Sequence, residues 1–310
     1  YKRQNIMNMI SSPDFGHSVE VAVRALTTVT DTTNVKEVPT VKQGNALYHT
    51  IGLGAMGLHT ALARHQIEYG SPEALEFTEA YFLALNYYSL VASNKIAQER
   101  DKVFKDFDKS TYADGSYFNR YLKQDFDFKS SKVRIIFERI KLPKIMDWQM
   151  LKQNVMDSGL YHRNRLAVAP NGSISYVNET SASLHPITQL VEQRQENKVG
   201  SIFYPAPYLS NETLPFYKPA YDIDQRKIID TYAVAQKHID QGMSLTLFMR
   251  SELPQGLYEW KKEGTKMTTR DLNHLRNYAW TKGIKSLYYV RTFTEDDEIK
   301  TANECEACMI

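Results

Sequence analysis

KSLYYVR, residues 285–291, sets two tyrosines side by side in a stretch that reads as a β-strand. Aromatic residues favour strands, and strand side chains alternate between faces, so Tyr288 and Tyr289 should meet different environments. Upstream, SLTLFM (244–249) is a second short strand, and the stretch 269–282 between the two has helical spacing. Another helical stretch, 224–240, comes before them, and LAVAPNGSISYV (166–177) reads as a short strand, a turn and a restart. Short strands alternating with helices predict parallel β/α units.

Before Gly159 the texture is helical. Apolar positions recur at helical spacing over 13–33, behind the start signal Pro13-Asp14. A Gly-rich segment over 43–69 runs into LHTALARHQIEYG, which reads as a helix closed by Gly70. A long helix is predicted over 71–100, where Ser71 opens it, Pro72 takes the first helical position, and Glu73 and Glu76 add negative charge near the N-terminus. The charged, aromatic stretch 101–145 predicts short helices near 116–123 and 130–140, ahead of a further helix over 147–158.

The composition is that of an ordinary globular protein: 310 residues, 42% apolar and 24% charged. Thirty-eight Lys and Arg against 36 Asp and Glu leave a net charge of +2, too balanced for nucleic-acid binding by bulk electrostatics. No apolar run approaches the roughly 18 residues a membrane span needs, and the first residues, YKRQNIMNMI, do not form a signal peptide. Both cysteines, Cys305 and Cys308, fall in the last six residues. A disulfide-stapled secreted domain spreads its cysteines through the fold, so a reducing, cytoplasmic setting is expected. Residues 1–4 look foreign to the rest of the chain and are set apart, and the chain is expected to be a fragment.

Four motifs bear on chemistry. GLGAMG (52–57) matches G-x-G-x-x-G, but KQGNALYHTI before it is no buried strand, and Glu73 and Glu76 sit at a helix start. Glycines for tight helix packing are the expected cause. The eight histidines form no H-x-x-x-H or H-E-x-x-H pattern, so no metal site is indicated and structural or surface roles are expected. In APNGSIS (169–175) a turn with small hydroxyl residues precedes a helical restart; its backbone N–H groups can hold a phosphate, although Pro-Asn-Gly is also an ordinary turn. Cys305-Glu306-Ala307-Cys308 cannot by itself complete a four-ligand zinc site, and no thioredoxin-like unit surrounds it. A dithiol on a polar, acidic tail can reach a buried disulfide and exchange with it.

From about residue 13 to the end, the ordered motifs resemble the large subunit of class I ribonucleotide reductase in its class Ib form. They include SPDFGHSVEVAVRALTTVTDTT, VPTVKQGNALYHTIGLGAMGLH, APNGSISYVNETSASLHPI, IFYPAPYLSNE, KIIDTYAVAQKHIDQGMSLTLF, MTTRDLNHLRNYAWTKGIKSLYYVRTF and the C-x-x-C tail. RSELPQGLYEWKKEG (250–264) reads as an insertion carried by some members. The resemblance implies an α/β fold, the second half of a ten-stranded α/β barrel over residues 5–293, followed by a flexible redox tail over 294–310. It implies radical-based reduction of ribonucleoside diphosphates at the 2′ position. Pro170, Asn171, Gly172, Ser173 and Ile174 match the segment that holds the substrate diphosphate. Tyr288 and Tyr289 match the dyad that relays the radical, with Tyr289 nearer the small subunit. Stacking of the two rings would require a local departure from ideal strand geometry. Cys305 and Cys308 match the tail pair that re-reduces the active-site disulfide and is itself reduced by a glutaredoxin- or thioredoxin-like protein.

The implied partners are the diphosphate substrate, a radical-generating small subunit, an N-terminal half and a second copy of the full subunit, with neither nucleic acid nor membrane. No cofactor is expected on this chain. The resemblance puts a dimetal-tyrosyl radical in the small subunit and nucleotide effectors in the N-terminal half. The finger-loop cysteine that forms the thiyl radical should lie upstream, so this chain alone should not turn over substrate. The alternative is a non-catalytic scaffold or binding protein derived from a reductase fold. Retention of both tyrosines and both cysteines argues against it.

Overall fold

A computed structural model describes residues 2–33, 37–196, 200–261 and 266–293. Its elements in chain order begin with β1 (Lys2–Asn5), α1 (Ile6–Ile10), α2 (Phe15–Thr32), α3 (Pro39–Tyr48), β2 (Leu53–Met56), α4 (Leu58–Arg64) and α5 (Pro72–Arg100). After them come α6 (Ser131–Ile136), α7 (Ile145–Ser158), α8 (Gly172–Val177), β3 (Val191–Glu196) and β4 (Gly200–Pro205). The last are α9 (Gln225–Gln236), β5 (Leu245–Arg250), α10 (Thr269–Thr281) and β6 (Leu287–Phe293). They divide between two units, one of Tyr1–Met56, Leu75–Ala169 and Lys237–Gly242, the other of Gly57–Ala74, Pro170–Gln236 and Met243–Ile310. No described helix is long and apolar enough to cross a membrane.

In the first unit, the Asp14 carboxylate caps α2 by accepting from the His17 N–H at 2.8 Å, as the start signal predicted. Phe15, Val19, Val23 and Leu26 then fall on one buried stripe. A second core gathers Leu83, Leu90, Phe118, Trp148, Leu151 and Val155, with the Tyr121 and Trp148 rings stacked at 4.0 Å. Lys2, Arg3 and Gln4, expected to stand outside the fold, form β1 together with Asn5 and pair in parallel with β2, Lys2 opposite Leu53 and Asn5 opposite Met56. On its other side β2 bridges in parallel to Leu166. Leu53–Met56, LGAM, is therefore itself a fully buried strand, a correction to the helix-packing reading as it concerns Gly54. A Cβ on Gly54 would stand 2.3 Å from the Ala167 carbonyl oxygen, so close strand packing demands glycine there.

In the second unit, Gly57 turns the chain with φ +85° into α4, which ends at Arg64 rather than running to Gly70. His65 and Gln66 leave helical geometry, the latter at φ +54°. β5 and β6 pair in parallel, and α9 packs against β5 and α10, as the strand–helix alternation predicted. A Thr268–Asp271 capping box starts α10. β3 and β4 form an antiparallel hairpin, Val191 opposite Pro205, which the sequence reading did not anticipate. Among the described residues the fold is mixed helix and sheet with three two-stranded sheets, and the described strands do not close into a barrel.

Candidate active site

A cavity of about 690 Å³ opens within the second unit, in the size range of small-molecule sites. Pro170, Asn171 and Gly172 line one part of it, and Tyr288, Tyr289 and Arg291 another. Two of the three groups singled out in sequence thus share one cavity. Ser173 and Ile174 sit on the exposed side of α8 and do not line it. Cys305 and Cys308 lie outside the described residues.

Asn171, only 3% exposed, precedes α8 without capping it through its side chain. Its Oδ1 accepts instead from the Ser183 N–H at 2.5 Å, which fixes the amide plane. Nδ2 of the same amide is buried with no hydrogen-bond partner, and so is Oγ1 of Thr180, another lining residue. Buried polar atoms without partners are rare and costly, and here they stand in the wall of a cavity where a polar ligand can satisfy them. The segment behind them is held to α4 by reciprocal bonds: Thr60 N–H donates to Ser181 Oγ at 3.1 Å, and Ser181 N–H to Thr60 Oγ1 at 2.9 Å. His59 completes the support. It accepts from the Ile187 N–H through Nδ1 (2.9 Å) and donates from Nε2 to the Phe216 carbonyl (3.0 Å). Burial pushes its pKa down to about 4, so the ring stays neutral and structural, as expected of the histidines.

The tyrosines depart from strand alternation. Leu245 pairs with Leu287, but Thr246 pairs with Tyr289, leaving Tyr288 as an extra residue in β6. Such a bulge puts two consecutive side chains on one side. The rings lie 4.0 Å apart between centroids at a tilt of 50°, and both face the cavity, exposed by 45% and 51%. Beyond the bulge alternation resumes: Tyr289 and Arg291 line this cavity, whereas Val290 and Thr292 line a different hollow. The expected departure from ideal strand geometry is this bulge, and the expected difference in environment between the two phenols is absent. A hydrogen bond with Tyr289 raises the Tyr288 pKa above its ordinary value, so the Tyr288 phenol holds its proton at neutral pH.

Sequence reasoning missed the lining residues Tyr176, Thr188, Glu192 and His185. Tyr176 donates a hydrogen bond to Glu192, whose other oxygen accepts from Thr188 at 2.9 Å, tying α8 to the start of β3. His185 lies beneath β5, its ring against Tyr232 and Phe248. No spacing rule links these residues, because their partners come from separate elements.

The family described as ribonucleotide reductase, barrel domain, matches residues 4–290. The chain is 41% identical over 306 residues to the ribonucleoside-diphosphate reductase NrdEB subunit alpha of Bacillus subtilis, covering 99% of this chain and 26% of that protein. It is 41% identical over 288 residues to another subunit alpha of Bacillus subtilis, covering 93% of this chain and 39% of that protein. Similarity to the Mycoplasma pneumoniae subunit alpha is 40% over 313 residues, covering 97% of this chain and 41% of that protein. The chain therefore spans between about a quarter and two fifths of the length of these relatives. A match over nearly all of its residues places the chain in the ribonucleotide reductase family.

Proposed function

We propose that this chain is the C-terminal part of the large, catalytic subunit of a class Ib ribonucleotide reductase, built on the second half of a ten-stranded barrel. The observation that carries the reading is the shared cavity: the 170–172 loop and both phenols line it together. In this reading the diphosphate of a ribonucleoside diphosphate rests on the loop begun by Pro170, Asn171 and Gly172, with the Asn171 amide as a donor. Tyr289 takes an oxidising equivalent from a small subunit that carries a dimetal-tyrosyl radical, and Tyr288 passes it inward. Tilted rings in contact suit a short hop, and a phenol that keeps its proton at neutral pH gives up proton and electron together. Cys305 and Cys308 return electrons from a glutaredoxin- or thioredoxin-like protein to the active-site disulfide. They are the only two cysteines in the sequence, so the thiyl cysteine comes from elsewhere, and this chain alone is inactive.

The test uses the full-length subunit assembled with its small subunit. Tyr288→Phe and Tyr289→Phe each lower reduction of CDP by at least about a thousandfold, because phenylalanine cannot be oxidised at the same potential, while CDP affinity stays within about twofold. Normal turnover in either variant overturns the relay.

A further inference from the structure

The register slip between β5 and β6 is what brings the two phenols together, and something must hold the slip in place. β6 cannot do so itself, because it is an exposed strand with side chains open along almost its whole length. The opposite segment, Ser244 to Thr246 of the β5 strand and its lead-in, is gripped by one side chain. His185 Nε2 donates to the Ser244 carbonyl oxygen at 2.9 Å; the Thr246 N–H lies 3.3 Å from the same nitrogen, which cannot accept from it while donating to Ser244. Those two residues flank Leu245, the position after which the pairing slips, and Thr246 is the residue directly opposite Tyr289. The ring is clamped between Tyr232 at 5.5 Å and Phe248 at 5.6 Å, so it cannot swing away without opening the packing beneath the strand.

We propose that His185 is a positioning residue for the Tyr288–Tyr289 pair: by holding the Ser244 carbonyl just before Leu245, with its ring packed against Phe248 further along β5, it fixes the slip, and with it the contact between the two rings. The role rests on the relay reading above and deepens it. Burial and the Arg291 charge push the His185 pKa down to about 4, so the imidazole is neutral at neutral pH and keeps a single N–H, which the Ser244 carbonyl requires on Nε2. A ring that titrated near neutrality would change its donors with every small shift in pH.

The experiment again uses the full-length subunit with its small subunit. A glutamine amide reaches about as far as Nε2 and restores the donor, whereas the shorter asparagine amide does not reach Ser244. His185→Asn is expected to lower kcat by about tenfold or more with KM for CDP within about twofold, and His185→Gln to retain kcat within about threefold. A 3-nitrotyrosine placed at position 289 gives an independent readout, since its visible absorbance titrates with its surroundings. Its midpoint should shift in His185→Asn and stay in place in His185→Gln. Should the asparagine variant fail to fold, His185→Leu, which fills similar space without a donor, takes its place with the same expected result. Unchanged kcat and nitrophenol midpoint in the disrupting variant overturn the proposal. Equal losses in the asparagine and glutamine variants, or a fall in kcat matched by a rise in KM, do so as well. Tyr289→Phe in the same assay separates the two layers: normal turnover there sinks the relay and the positioning role together, whereas a dead Tyr289→Phe beside an unaffected His185→Asn sinks the positioning role alone.

Discussion

Arg165 is wholly buried, an unusual place for a guanidinium. Nη2 lies 3.2 Å from Asp240 Oδ2 and donates to the Tyr112 hydroxyl at 3.0 Å, while Nη1 donates to Ser89 Oγ at 3.1 Å; Nε is left without a partner. The Asp240 carboxylate also accepts the backbone N–H groups of Arg165 (2.8 Å) and Leu166 (2.9 Å), so one side chain neutralises a buried charge and fixes a strand segment. Removing it strands the cation in a low-dielectric core. Asp240→Ala should therefore lower unfolding free energy by about 3–5 kcal/mol, read from denaturant midpoints, and a loss under about 1 kcal/mol would contradict the pairing. None of this was legible in HRNRLAV, because the partner stands 75 residues downstream. At the same scale Tyr288, Tyr289 and Asn171 were singled out only through the family resemblance, since by themselves the tyrosines read as a strand signal and Pro-Asn-Gly as a turn. His185 was not, because its role comes from where β5 passes over it.

Among elements, the turn from β2 into α4 shows how tightly a glycine can be specified. Gly57 holds φ +85°, and a Cβ there would come within 2.1 Å of Thr180 Oγ1 and 3.2 Å of Thr180 Cβ. Gly57→Ala should cost about 2–4 kcal/mol, overpacking and backbone strain together. Thr180→Ala removes the hydroxyl and should recover part of that, leaving about 1 kcal/mol of backbone strain. Full additivity of the two substitutions in thermal or denaturant unfolding would show that Gly57 and Thr180 do not interact. Elements with local signals were readable in advance: α2 and α10 announce themselves through caps, and α5 opens where Ser71-Pro72-Glu73 said it would. The β2 strand and the β3–β4 hairpin were not readable. Leu-Gly-Ala-Met has poor strand propensity and becomes a strand only through its two neighbours, and VEQRQE is polar enough to pass for loop.

For the molecule as a whole, the buried histidines set the response to acid. Burial pushes the pKa of His59 down to about 4, and those of His162 and His238 to about 3. Their ordinary value is 6.5, so below it the unfolded chain takes up protons that the folded chain refuses. Their contribution is intact above pH 6.5 and drains away as pH falls toward 4 and then 3, at up to ~1.4 kcal/mol per pH unit for each histidine. Unfolding midpoints should begin to drop below pH 6.5, before the carboxylates whose pKa values lie low, Asp31 and Asp271, begin to protonate. A midpoint that stays level from neutrality down to about pH 5 would rule this out. The α/β character was legible because helix and strand periods differ. The cavity was not, since it takes pieces of α8, β3, β5 and β6 that only folding assembles.

The extra residue in β6 has a consequence that concerns arithmetic more than chemistry. A strand's inside-outside code is a parity, and the slip after Leu245 adds one to the count, so the two phenols stand where odd and even exchange meaning. Deleting a single residue at this seam would leave nearly every letter of KSLYYVR in place and still send one phenol to the wrong face. The pair is thus encoded as much by number as by kind.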